Sequence, residues 1–203
     1  MILEDELLKY LNYKDGFYVE CGSNDGLTQT NTLKLEKLRN WSGILIDASK
    51  KAYEQCLTNR DNEKNIILNN ALVSFDYKDE FVCGDFDGSP MGSIGGVRLN
   101  RKSDMSVKAR TIDSILKEYN INKVDVFVVD VEGFELEVLK GIDYQYCSPE
   151  YLLIEVYNKD YENIYNFLIE NNYELICNLS GYNHIDNPHW DGTHNDYLYK
   201  KIK

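Results

Sequence analysis

VDVFVVDVEGFELEVLKG, residues 124–141, changes its period halfway along. From Val124 to Val129 apolar side chains dominate, the pattern of a strand covered on both faces. Beyond the acidic turn Asp130-Val131-Glu132-Gly133, apolar positions recur at helical spacing until Gly141 stops the helix. Strand, turn and helix in that order form one repeat of a parallel α/β sheet. The alternation extends both ways. Upstream, FYVECG (17–22), GILIDAS (43–49) and IILNNALV (66–73) read as strands, with helices at about 29–39, capped by Thr28, and at about 50–58. EFVCGD (80–85) and residues 106–110 read as further strands, and Thr111 opens a helix. Downstream, YLLIEV (151–156) and a helix at about 160–171 precede YELICNLS and DYLYKKI, a closing strand pair. The expected fold is α/β: a seven-stranded, mainly parallel sheet with an antiparallel C-terminal hairpin, in a single domain spanning 1–203.

The 203 residues are 43% hydrophobic and 28% charged, an ordinary globular balance, and no apolar run reaches the roughly 20 residues of a membrane span. MILEDELLKYLNY (1–13) reads as an amphipathic helix and not as a signal peptide, so a cytoplasmic protein without a membrane partner is expected. A net charge of -12 repels a phosphate backbone, which argues against a nucleic-acid partner. Arg98, Arg101, Lys102, Lys108 and Arg110 are too sparse for a basic patch and read as a solvated loop or at most an anion contact. Five scattered cysteines without a C-x-x-C pair suggest neither a disulfide framework nor a zinc site. The glycines of residues 84–100 mark a flexible loop.

In open α/β sheets ligands sit outside the carboxyl ends of the strands, anchored at the first strand-to-helix turn. Here that turn is Glu20-Cys21-Gly22-Ser23-Asn24-Asp25-Gly26. Gly22 and Gly26 let the backbone approach a ligand, and Glu20 is placed to pair with an ammonium group. A dinucleotide fingerprint needs glycine at 24 and 27; Asn24 and Leu27 stand there, which disfavours a nicotinamide-dependent oxidoreductase. Asp47, followed by Ala48, ends the second strand where a carboxylate can accept both hydroxyls of a ribose. Asn70 and Ala71 follow on the third strand, where an adenine edge would lie. The three strand ends in this order point to an adenosine-bearing cofactor.

These residues also resemble the FkbM-type methyltransferases. The likeness runs through FYVECGSNDGLTQTNTLKLEKLRNWSGILIDAS, the Asn59-Arg60 pair, NNALV, ARTIDSIL, VDVFVVDVEGFELEVLKG, YLLIEVYN and the final NDYLY. Val128 stands where family members often carry Lys or Ser. The resemblance implies a class I methyltransferase (Rossmann-like) sandwich, S-adenosylmethionine as cofactor, and O-methylation of a sugar, glycan or other small metabolite. A non-catalytic binding module of the same fold is the alternative.

Methyl transfer to an alcohol needs the oxygen held in line and its proton removed. Asp130 and Glu132 are two apart at the end of the strongest strand; if strand geometry persists they point the same way, one as general base and the other as acceptor or cofactor contact. One of them could instead cap the following helix. Glu155 is a substrate contact by its strand-end position. Asp130, Glu132 and Glu155 could gather a divalent ion such as Mg²⁺, with Asn158 the nearest neutral ligand, though the resemblance requires no metal and none is expected. His184, His189, His194 and Trp190 share the long polar segment before the last strand; His184 and Trp190 are the candidate contacts for a small-molecule or carbohydrate acceptor. The oligomeric state is not legible.

Overall fold

The computed structural model describes residues 3–87, 91–96, 98–188 and 190–202. His189, and Gly88 and Pro90 of the glycine-rich loop, lie outside them. The strands are β1 (Phe17–Cys21), β2 (Ser42–Asp47), β3 (Asn65–Asn69), β4 (Ala71–Leu72), β5 (Phe81–Gly84), β6 (Met105–Arg110), β7 (Val126–Val129), β8 (Tyr151–Tyr157), β9 (Tyr173–Asn178) and β10 (His194–Lys201). The helices are α1 (Leu3–Tyr10), α2 (Leu33–Arg39), α3 (Lys50–Asn59), α4 (Ile112–Glu118), α5 (Glu135–Leu139) and α6 (Tyr161–Glu170).

The seven-stranded sheet has the order β3-β2-β1-β7-β8-β10-β9. Its first five strands are parallel, and β10 is inserted antiparallel between β8 and β9. Strand parity divides two cores. Val19, Ile44, Ile46, Phe127, Val129, Leu152 and Ile154 face one side with Ile112 and Leu116 of α4, Val138 of α5 and Leu168 of α6. Tyr18, Leu45, Val126, Val128 and Leu153 face the other with Leu7 of α1, Leu35 of α2 and Cys56 of α3. Both faces of the parallel strands are therefore dry, which is why their sequences read as unbroken apolar runs. Val128 is part of this packing and has no polar role. No described helix is long and apolar enough to cross a membrane.

IILNNALV does not stay one strand. Asn70 ends the pairing with β2, and Ala71-Leu72 moves into a second sheet, order β4-β6-β5, to which EFVCGD and residues 106–110 also belong. The Asn70 side chain donates to the Lys108 carbonyl at 3.1 Å and ties the sheets together. This small sheet packs its own cluster of Ala71, Val73, Val82, Phe86 and Val107 beside the carboxyl ends of β2 and β3. Helix α2 begins at Leu33, later than expected, because Thr28 is engaged by the Asp25 carboxylate and Thr30 and Thr32 by Glu20.

Candidate active site

The sheet order reverses direction between β1 and β7, and the backbone is tightest there. The Gly22 and Ser23 amides donate to the Ile46 carbonyl at 3.0 and 3.2 Å, joining the turn after β1 to β2. Gly22 has φ +78°, and a Cβ on it would stand 1.7 Å from the Asp130 carbonyl oxygen. Only glycine lets the ends of β1, β2 and β7 meet this closely. They form the floor of a cleft whose walls include Asn24, Asp47, Ala48, Asn70 and Ala71 at one end and Asp130, Glu132 and Glu155 at the other. Leu72, Phe86 and Ile94 add an apolar wall.

Asp47 is held from both sides: one carboxylate oxygen accepts from the Asn24 amide and the other from the Ser49 amide, each at 2.8 Å. Burial pushes its carboxyl up to about 6 against these two bonds. Each oxygen keeps a lone pair for a further donor. Four residues of the first turn do not line the cleft. Glu20 points to the opposite sheet face, where it accepts from Thr30 Oγ1 at 2.8 Å, the Asn31 amide at 2.6 Å and Thr32 Oγ1 at 2.5 Å, so the expected ammonium partner is replaced by the chain's own donors. Ser23 is buried. Asp25 is turned onto the amides of Leu27 and Thr28 and shapes the turn. Gly26 abuts Cys56 and Arg60.

Arg60 organises this support and carries no sequence signal beyond the Asn59-Arg60 pair. Its buried guanidinium pairs with Glu36 at 2.7 Å and donates to the Gly26 carbonyl, Thr30, Thr32 and the Tyr18 hydroxyl. Asn59 donates to the Asp25 carbonyl at 2.9 Å.

At the other end the alternation fails after Val129, since Glu132 has φ +58°. A left-handed turn, not a continuing strand, brings Asp130 and Glu132 onto the same cleft. Neither caps α5: Glu135 accepts from the Val131 and Gly133 amides at 3.2 and 2.9 Å, and burial pushes its carboxyl up to about 7. Burial, then the charge of Glu132, pushes Asp130 well up. Burial, then Asp130 and Glu132, does the same to Glu155.

Three residues that the sequence does not place beside these acids hold them. Tyr157 donates to Glu132 Oε2 at 2.6 Å, Arg98 Nε donates to the same oxygen at 3.1 Å, and His194 Nε2 lies 3.3 Å from Glu155 Oε1. Of the two readings of Arg98 the anion contact holds and the solvated loop residue does not: its side chain is 16% exposed and its other arm binds Asp191 at 2.7 Å. Burial keeps His194 below the ordinary imidazole value, against the pull of Asp191. Asn158 donates to the Gly192 carbonyl at 2.8 Å instead of turning to the acids.

Trp190 lines a second, shallower depression with Arg98, Tyr182, Asp191 and His194. Its indole N–H donates to the His194 carbonyl at 2.8 Å, which fixes the ring. His184 packs against Trp190 with ring centres 5.0 Å apart but is not part of that lining.

Residues 20–175 match the model of the methyltransferase FkbM domain family. Over 72 residues the chain is 32% identical to the hexuronic acid methyltransferase AglP of Haloferax volcanii, a match covering 36% of this chain and 30% of AglP. The solved structure of methyltransferase FkbM from Methylobacillus flagellatus KT superposes with a TM-score of 0.57 at 16% identity, covering 92% of this chain and 43% of that one. M. capricolum TrmK in complex with S-adenosyl-homocysteine superposes with a TM-score of 0.60 at 13% identity, covering all of this chain and 69% of that one. The matches therefore cover less than half the length of each of the first two proteins. The superpositions identify the fold as that of the class I methyltransferases.

Proposed function

Given that this chain belongs to the methyltransferase FkbM domain family, we propose that its cleft binds S-adenosylmethionine and directs methyl transfer to a hydroxyl of a sugar, glycan or related small metabolite. The observation that carries the reading is the pairing, in one cleft, of a half-buried ribose-type acceptor, Asp47, with the carboxylates Asp130 and Glu132 at the end of β7. Asp47 receives the ribose hydroxyls, Asn70 and Ala71 border the base, and Leu72, Phe86 and Ile94 pack its faces. Gly22 and Asn24 follow the cofactor's remaining length. Glu20, Ser23, Asp25 and Gly26 act from behind, shaping the turn.

When bound, the cofactor supplies a methyl group on a sulfonium, an electrophile that needs no further activation. The chain's own work is to orient the acceptor oxygen and take its proton. Glu132 is the base: Tyr157 and Arg98 fix its Oε2 and so orient the carboxylate. Asp130 and Glu155 border the acceptor from either side. Trp190, backed by His184, offers an aromatic face against which a sugar ring can lie. The charge of -12 favours such an acceptor over a nucleic acid, and AglP, named for a hexuronic acid, is in keeping with it.

Transfer of a radiolabelled methyl group onto nucleotide sugars, glycans, small phosphorylated acceptors and tRNA tests the reading. A sugar acceptor is expected, and Glu132→Gln lowers its kcat by about 100- to 10,000-fold with cofactor affinity nearly unchanged. Labelling of tRNA alone contradicts the acceptor class. Cofactor binding without transfer to any acceptor favours the non-catalytic alternative.

A further inference from the structure

The depression that holds Trp190 shares no lining residue with the cleft, among the described residues. A partition of two polar contacts divides them. Glu132 on the cleft side meets Arg98 on the other at 3.1 Å, and Glu155 on the cleft side meets His194 on the other at 3.3 Å. Tyr157 braces both contacts, with its ring centre 5.2 Å from the Arg98 guanidinium carbon and 5.6 Å from the centre of the His194 ring. Methyl transfer needs the acceptor oxygen in near contact with the methyl carbon, so the reacting hydroxyl lies on the cleft side, beside Asp130 and Glu132. A ring resting on Trp190 is on the far side of Arg98 and His194, and is therefore not the ring that is methylated.

The depression is shaped for a ring of its own. Trp190 is half-exposed and cannot turn freely: its indole N–H is bound to the His194 carbonyl at 2.8 Å and its amide to the Asn187 carbonyl at 2.9 Å. The Tyr182 ring meets His194 edge-on, with centres 6.0 Å apart, and lies 6.4 Å from Trp190. Aromatic rings fixed in advance bind a flat apolar face at little entropic cost. Asp186 and Asn187 stand among them, an acceptor and an amide suited to hydroxyl groups. The charge of the lining is equally selective. Its one guanidinium, Arg98, is already divided between Glu132 and Asp191, and Asp186 and Asp191 are both carboxylates. A phosphate would meet repulsion here, whereas a neutral sugar would not.

We propose that this depression is a second saccharide subsite, and that the acceptor is a glycan of at least two rings: one presents its hydroxyl in the cleft, and its uncharged neighbour lies against Trp190. Of nucleotide sugars, glycans and small phosphorylated acceptors, this selects the glycans. The role of the first ring rests on the methyl-transfer reading; binding of the second does not.

The chain has two tryptophans, and Trp41 is wholly buried in the core. The full chain labelled with fluorotryptophan therefore gives one fluorine resonance from the core and one from the depression, which Trp190→Phe assigns. Cellobiose, maltose, lactose, methyl glucoside and UDP-glucose are titrated into it with and without S-adenosylhomocysteine. At least one disaccharide is expected to shift the Trp190 resonance and leave that of Trp41 in place, with a Kd about tenfold or more below that of methyl glucoside. UDP-glucose is expected to leave both in place. Trp190→Ala weakens disaccharide binding, measured by calorimetry, by about tenfold, while Trp190→Tyr keeps most of it, and circular dichroism checks that each variant is folded. No disaccharide shift at Trp190 in a chain that binds S-adenosylhomocysteine overturns the subsite and leaves the methyl-transfer reading intact. Methyl glucoside binding as tightly as the disaccharides, or UDP-glucose binding more tightly, also overturns it. Disaccharide binding at Trp190 in a chain that ignores S-adenosylhomocysteine supports the subsite and refutes the cofactor reading instead.

Discussion

Replacing Asp47 by Asn separates what this residue does for the fold from what it does for the cofactor. Burial raises its carboxyl from the ordinary 3.8 to about 6, so the folded protein favours the protonated form. The stability that this contributes is present below pH 4 and lost as pH rises through 6; the difference is worth about 3 kcal/mol. Asn at this position does not titrate. It keeps one carbonyl oxygen for the Asn24 or Ser49 amide but turns an NH₂ towards the other, at a cost of about 1–3 kcal/mol. Gain and loss nearly cancel at pH 7, so urea unfolding is expected to give similar stabilities for the two proteins there. Between pH 4 and 7 the stability of the wild type relative to Asp47→Asn falls by about 3 kcal/mol. Cofactor binding moves differently. A lost charge-assisted bond to a ribose hydroxyl costs about 1.5–3 kcal/mol, which is about 10- to 150-fold in the Kd for S-adenosylhomocysteine measured by calorimetry at pH 7.5. An unchanged Kd in the folded variant removes Asp47 from the ribose site, and identical pH profiles refute the burial argument.

Gly22→Ala places a Cβ 1.7 Å from the Asp130 carbonyl at a φ of +78°, so denaturant unfolding is expected to show a loss of about 3 kcal/mol or more; a loss below about 1 kcal/mol shows that β1 and β7 separate freely. Arg60→Met takes the buried guanidinium from Glu36, leaving that carboxylate to Lys37, Asn65 and Tyr18, and with both side chains at 0–1% exposure is expected to cost about 3 kcal/mol. Adding Glu36→Gln to it should recover part of that loss, and no recovery means that the cost comes from packing instead.

The sheet was legible in the sequence because its strands are buried on both faces, which forces apolar runs at 17–22, 43–49, 124–129 and 151–156. The break at Asn70 was not, since NNALV is equally compatible with one strand or two and only pairing with residues 105–110 decides it. Strand-end logic located Asp47, Asn70, Asp130, Glu132 and Glu155 on one cleft because the topology puts all carboxyl ends on one edge. It failed for Glu20, whose side of the sheet is set by parity: Tyr18 faces α2 and α3, and so must Glu20. The placement of Arg98, Tyr157 and His194 beside the acids was not legible for a different reason. They reach the acids from a glycine-rich loop and two late strands, contacts between residues far apart in the chain that no local pattern encodes.

The central claim is that the cleft at the ends of β1, β2 and β7 is the S-adenosylmethionine site. A crystal structure of the chain grown with S-adenosylhomocysteine tests it most directly. The account predicts the ribose hydroxyls on Asp47, the adenine beside Asn70 and Ala71, and the sulfur directed towards Asp130 and Glu132. Adenosine bound elsewhere, or a cleft that stays empty at saturating S-adenosylhomocysteine but fills in a parallel crystal grown with NAD, contradicts the account.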